Sequence, residues 1–321
     1  MSNIKDITES LNKNPMFRLS LGSKELFHSN FLEFLWEQNS SAFLEMLKEL
    51  VSKDEDKNHI DNLLNQLEKD KEYLILAREK EHFDLCAYHY DGNKIVYDII
   101  IENKVKSIPY KTQLDGYVKK IQDKQDNGAI YILLTLAKLF TQKDNIEDWN
   151  IVHYDSLVKK IEKHYLRKCF KTKTDRYIKD YCRYLSYLNK LGIEEIIKNG
   201  NQEIQSQAYT LLKGIRLHDL YIKLTGSIFI GKLYNAIQRP INESIITFGK
   251  EDREDTEHKV FLSNSYNNGK CTITASIRVG AESGRTEDST FYIIQIEGNP
   301  FDGKGRNQYR HMINKINLVF S

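Results

Sequence analysis

The sequence predicts an α/β protein: a mixed β-sheet flanked by helices, then a helical segment, then a C-terminal β-rich region. Three observations carry this. Two runs of β-forming residues, FDLCAYHY (83–90) and KIVYDIIIENKV (94–105), are joined by Asp91-Gly92-Asn93, a strong hairpin signal. An apolar run, AIYILLTL (129–136), follows a helical pattern, as a strand covered on both faces and reached by a crossover should. After WNIVHY (149–154), runs of β-formers return only from about residue 245.

The first 70 residues read as helices. SKELFHSNFLEFLWE places Leu26, Phe27, Phe31, Phe34 and Leu35 on one stripe at helical spacing, with Ser23 as N-cap. SAFLEMLKELV continues in that style, and DKNHIDNLLNQLEKD is a polar amphipathic helix expected at the periphery. Strand character begins at Tyr73 with EYLILARE, the first of three strands that end at Val105. Pro109 breaks the chain before a helix, YKTQLDGYVKKIQDK. After AIYILLTL, WNIVHY reads as one more strand leading into a helix capped near Asp155 or Ser156, and helical pattern continues to about residue 238. KVFLSNSY, KCTITASIRV and STFYIIQIEG are the C-terminal strands, and a helix near residues 309–320 closes the chain. A boundary is expected between residues 200 and 245, although no Pro/Gly/Ser-rich linker marks it.

A chain of 321 residues has room for one large domain or two modest ones. Its 29% charged and 40% hydrophobic content is that of an ordinary globular protein, and no run approaches the ~18 apolar residues of a membrane span. Met1 to Leu11 is polar and lacks an apolar signal core, which argues against export. Cys86, Cys169, Cys182 and Cys271 are scattered, without a CxxC pair, so a zinc site or disulfide framework is not expected and a cytoplasmic location is. The net charge of +2 does not announce a nucleic-acid partner, which would have to use local patches.

The informative stretch is the end of the third strand, where Ile99, Ile100 and Ile101 run into Glu102, Asn103 and Lys104. Charge at the end of a buried strand costs free energy unless it is paired, hydrated or metal-bound. Strand alternation puts Glu102 and Lys104 on one face and Asn103 on the other. With a three-residue loop at Asp91-Gly92-Asn93, Tyr90 pairs with Lys94, and Asp84 faces Ile100, diagonal to Glu102 on the same face. A two-residue loop puts Asp84 on the wrong face unless a bulge compensates. Two neighbouring carboxylates repel, and a hard divalent cation such as Mg2+ relieves the repulsion with few carboxylates and several waters. Such a cation acidifies water and stabilises charge on a phosphoryl oxygen, while Lys104 can orient the water or stabilise the developing oxyanion. The arrangement suits phosphodiester hydrolysis.

These residues resemble a known group. FDL, a short hairpin and IENK look like the PD-(D/E)XK nuclease superfamily, with Asp84, Glu102 and Lys104 at the motif positions, and the element order is similar to its restriction-endonuclease-like αβββαβ core. QLDGY (113–117) resembles the QxxxY element of RecB-type nucleases, and ELFHSNFLEFL (25–35), IENK and QLDGY together are similar to a bacterial family of that superfamily. Phe83 stands where the family name has its proline, and the three charged positions are intact. The resemblance covers about residues 15–165. It implies a nuclease core at 1–165 with N-terminal helices, leaving a helical, basic-aromatic segment at 166–240 and a β-rich region with a terminal helix at 241–321.

The resemblance further implies a nuclease dependent on Mg2+ or Mn2+, acting on DNA rather than RNA, in bacterial restriction, repair or anti-phage defence. Asp84, Glu102 and the backbone carbonyl of Asn103 would be metal ligands, Lys104 the water-positioning cation, and Gln113 and Tyr117 its support. Glu25, and Glu79 or Glu81 in the turn before Asp84, are further candidate ligands; their plainer reading is surface charge. His28 reads as a capping or packing residue. Lys106, Lys111, Lys168, Lys171 and Arg176 are candidate phosphate contacts or ordinary surface charge.

Glu-x-Lys alone is a weak signal, since Glu55–Lys57 and Glu257–Lys259 repeat it without an Asp-bearing hairpin before them. Residues 159–190 hold eleven Lys/Arg against three acidic residues, interleaved with six aromatics. That describes either a nucleic-acid surface or a helix pair with its aromatics in the core. A rival reading keeps the fold and drops the chemistry: a binding module whose C-terminal strands recognise substrate, bind a regulator or build a homo-oligomer. RNA as substrate is left open by every residue.

Overall fold

The computed structural model describes residues 2–20, 24–105, 111–126, 128–136, 147–166, 172–192, 206–217, 220–221, 245–252, 258–266, 271–279 and 290–298. The chain divides into two compact units, one made of Met1–Lys138 and Lys143–Glu194, the other principally of Glu195–Ser321.

The first unit is built on a five-stranded mixed sheet of strands in sequence order: β1 (Ile75–Arg78), β2 (Leu85–Asp91), β3 (Lys94–Lys104), β4 (Ile130–Thr135) and β5 (Trp149–His153). β1, β2 and β3 are antiparallel neighbours; β3, β4 and β5 run parallel. Helices α1 (Ser2–Lys13), α2 (Pro15–Leu19), α3 (Lys24–Gln38), α4 (Ser40–Lys48) and α5 (Asp54–Lys69) precede the sheet. α6 (Lys111–Gln122) makes the crossover from β3 to β4, and α7 (Tyr154–Tyr165) and α8 (Lys173–Asn189) follow β5. This is the restriction-endonuclease-like α/β arrangement expected from the sequence.

All six residues of β4 are buried, which its continuous apolar run requires of a parallel strand covered on both faces. On one face α6 lays Leu114, Val118 and Ile121 against Cys86, Ile100, Leu133 and Trp149. Each such side chain contributes about 1.5–3 kcal/mol by leaving water. α3 lies against β1 and β3.

Several local readings are corrected. The buried stripe of α3 is His28, Phe31, Leu32 and Leu35, while Leu26, Phe27 and Phe34 are only half-buried. The helix is rotated because two polar residues, His28 and Ser29, find buried partners and turn inward. α5 is less peripheral than its polarity suggests, since it buries Ile60, Leu63 and Leu67. α7 starts directly from β5 at Tyr154 with His153 as N-cap, leaving no loop for Asp155 or Ser156 to cap. Asp155 lies instead in the first turn, where the helix dipole favours it. α8 is launched by a capping box between Thr172 and Asp175, and it buries Ile178, Tyr181, Tyr184, Leu185 and Leu188. Two tyrosines of the basic-aromatic segment are therefore core residues, whereas Tyr177 is half-exposed.

The hairpin that positions the site departs from the simplest register. Asp91 pairs with Lys94, so the loop is the two-residue Gly92-Asn93, and Gly92 supplies the positive φ of 61° needed at its first position. Tyr88 pairs with Tyr97, but Ala87 pairs with Ile99, so Asp98 is an extra residue forming a β-bulge. Beyond it, Cys86 faces Ile100 and Leu85 faces Ile101. Asp84 is thus level with Glu102 and on its face, not opposite Ile100. The compensating bulge is present, and the three-residue loop is not.

The second unit holds α9 (Ser206–Gly214) and a four-stranded antiparallel sheet, β6 (Ile245–Asp252), β7 (His258–Tyr266), β8 (Cys271–Val279) and β9 (Thr290–Gly298), in sequence order. β7, β8 and β9 are the three runs read from the sequence. β6 is a fourth strand beside them, and its apolar start, IITF, gives way at once to GKED. The helix expected near 309–320 lies outside the described residues.

Candidate active site

The end of β3 presents the motif side chains in two directions. Glu102 is 2% exposed and Lys104 8%, and the Lys104 Nζ donates to Glu102 Oε1 at 2.6 Å. Between them Asn103 points the other way and is fully buried. Its Nδ2 donates to Ser29 Oγ on α3 at 2.6 Å, and the Tyr154 hydroxyl at the start of α7 donates to its Oδ1 at 3.4 Å. The backbone N–H of Asn103 donates to Asp84 Oδ2 at 2.7 Å. The bulge at Asp98 and this bond together bring Asp84 to the Glu102–Lys104 end of the sheet.

α6 closes the cluster from above. Gln113 Nε2 donates to the same Glu102 Oε1 at 3.1 Å and lies 2.9 Å from the Tyr117 hydroxyl, which donates to the carbonyl of His82 at 3.0 Å. Burial raises the pKa of that phenol; Glu102 and Asp84 raise it further, while Gln113 and Lys104 pull it down.

The other candidates divide. Glu79 is an exposed turn residue with a φ of 52°. Glu81 is held by Lys120 and Lys124 at 2.9 Å each, and these cations lower its pKa to about 2. His28 is a packing residue: fully buried, stacked on Tyr184, with its Nδ1 2.9 Å from the Tyr181 hydroxyl. Glu25 lies on α3 and Lys111 begins α6, but their side chains are outside the description, as are Lys106, Lys168 and Lys171. Arg176 is exposed on α8 beside Tyr177.

Sequence reasoning missed Ser29 and Tyr154, which carry no local signal because they reach Asn103 from elements distant in the chain. It also missed Lys120, which continues the helical stripe of Gln113 and Tyr117, and Lys124 in the turn just beyond that helix. The oxygen donors at this end of the sheet are the carboxylates of Asp84 and Glu102 and the Asn103 backbone. Among the described residues no three His, Cys, Asp or Glu side chains group as a metal cage. Two hard carboxylates fit Mg2+ or Mn2+ and do not fit a thiolate-seeking metal.

The sequence model of the PD-(D/E)XK nuclease superfamily matches residues 14–183, more than half of the chain. The chain belongs to the PD-(D/E)XK nuclease superfamily. No curated protein and no solved structure matches it. The superfamily match spans α3, the Asp84 hairpin, the Glu102–Lys104 pair and QLDGY, and it ends inside α8, beyond the stretch whose resemblance was legible. Superfamily membership places the chain among nucleases, hydrolases whose substrate is nucleic acid. No helix among the described residues is long and apolar enough to cross a membrane.

Proposed function

We propose that this superfamily member is a Mg2+- or Mn2+-dependent nuclease acting on DNA, serving bacterial restriction, repair or anti-phage defence in the cytoplasm. The observation that carries the reading is the convergence of Lys104 and Gln113 on one oxygen of buried Glu102, with Asp84 tied to the intervening Asn103 amide. Burying a carboxylate this deeply costs free energy, and a site that organises it with a lysine and an amide suits cation binding. Asp84, Glu102 and the Asn103 carbonyl would hold the cation, which supplies Lewis-acid stabilisation of phosphoryl charge and acidifies water. Lys104 orients the attacking water, while Gln113 and Tyr117 keep Glu102 and the Asp84 turn in place. A water oxygen bonds to phosphorus as one bridging P–O bond breaks, and the departing oxygen takes a proton.

The test is incubation with plasmid, linear duplex and single-stranded DNA, and RNA, with Mg2+ or Mn2+, beside Lys104→Ala. Metal-dependent cleavage of DNA, lost in the variant, is expected. Cleavage of RNA alone would reassign the substrate. Wild-type cleavage by Lys104→Ala would sink the site. A folded protein with no carboxylate-dependent Mn2+ affinity would leave the binding-module reading standing.

A further inference from the structure

The turn that launches Asp84 is unusual. Glu79, Glu81 and His82 all adopt left-handed backbone, with φ of 52°, 57° and 69°, and none is glycine. Side chains with a Cβ hold that conformation only where the surroundings over-determine it, and such strain gathers at functional sites.

What over-determines it here is α6 and the turn that follows it. Gln113, Tyr117 and Lys120 recur at steps of four and three, so they share a face of α6, and Lys124 follows in the turn just past its end at Gln122. Gln113 reaches Glu102 on β3, whereas the other three reach the turn. Tyr117 donates to the His82 carbonyl, and Lys120 Nζ donates to the Glu81 carbonyl at 2.7 Å. Lys120 also pairs with one Glu81 carboxylate oxygen and Lys124 with the other, each at 2.9 Å. Lys120 lies over the Phe83 ring at 5.3 Å, the residue just before Asp84. α6 and the turn at its end therefore grip both halves of the Asp84–Glu102 site.

We propose that Lys120 and Lys124 are positioning residues: through Glu81 they hold the strained turn that sets Asp84 against Glu102. The consequence for cation binding rests on the metal-site reading above; the placement of Asp84 does not. Glu81 is accordingly a clamp and not a metal ligand. Because the clamp is ionic and partly exposed, salt should loosen it.

The experiment compares wild type, Lys120→Met/Lys124→Met and Lys120→Arg/Lys124→Arg by three measurements. These are Mn2+ titration calorimetry, amide exchange at Asn103 in metal-free protein, and thermal melting. The Met pair is expected to weaken Mn2+ binding by about tenfold to a hundredfold. It should also speed Asn103 exchange, because that amide donates to Asp84, and the Arg pair should restore both. Glu81→Gln, which keeps the carbonyl contact, serves if the Met pair does not fold, and should shift both readouts in the same direction. A folded variant with wild-type Asn103 exchange and wild-type Mn2+ affinity overturns the inference. Wild type that binds no Mn2+ sinks the metal-site reading instead, and Asn103 exchange then decides the positioning role alone.

Discussion

Asp84 is held by the strand it faces: its Oδ2 accepts the backbone N–H of Asn103, the residue between Glu102 and Lys104, at 2.7 Å. Asn103 is itself anchored through Ser29 and Tyr154, so helices from both ends of the first unit bear on where Asp84 sits. Asp84→Asn keeps an oxygen to accept that N–H and loses the negative charge. It should cost only about 1 kcal/mol of stability, since a charged acceptor is exchanged for a neutral one. Its Mn2+ affinity should fall at least tenfold. Calorimetry and urea unfolding on one preparation check both, and unchanged affinity would remove Asp84 from the site.

Lys104 and Glu102 form a buried ion pair. Lys104→Met leaves Glu102 buried without its lysine, and breaking such a pair costs about 3–5 kcal/mol. Adding Glu102→Gln removes the stranded charge, so the double variant should be more stable than Lys104→Met alone. Neither should cleave. Urea midpoints at constant slope give the ordering, and a less stable double variant would contradict it.

Asp98 is both the bulge residue and a buried bridge, with Oδ1 3.1 Å from His59 Nε2 and Oδ2 2.7 Å from His89 Nδ1. Asp98→Ala removes both contacts, each worth about 1.5–3 kcal/mol where one partner is charged. Because the bulge sets the face on which Asp84 lies, Mn2+ binding should weaken with stability. Wild-type stability in this variant would show that the bulge does not depend on its bridge.

Glu49 contributes to the acid limb of stability. Lys160 and Lys163, then His164, hold its pKa near 2, down from the ordinary 4.5. A carboxylate depressed on folding contributes stability that is complete above its unfolded pKa and disappears as pH falls through the folded one. The window is therefore between about pH 4.5 and pH 2. Glu49→Gln should flatten the loss of melting temperature across that window and lower stability at neutral pH. Parallel pH-melting curves for the two proteins would rule this out.

The alternation of β3 told, from letters alone, that Glu102 and Lys104 share a face and Asn103 opposes them, because strand geometry is a local property of the backbone. Helical spacing likewise put Gln113 and Tyr117 on one turn, and the apolar run of β4 announced burial on both faces. The face of Asp84 was not legible in the same way. It depends on a bulge at Asp98 that a two-residue loop makes necessary and that no local propensity dictates. Nor could spacing show that Ser29 and Tyr154 would grip Asn103, or that Tyr181 and Tyr184 would be buried instead of presented to a partner. Those outcomes depend on contacts between residues far apart in the chain, where packing and buried hydrogen bonds choose among arrangements that the local pattern leaves equal in energy.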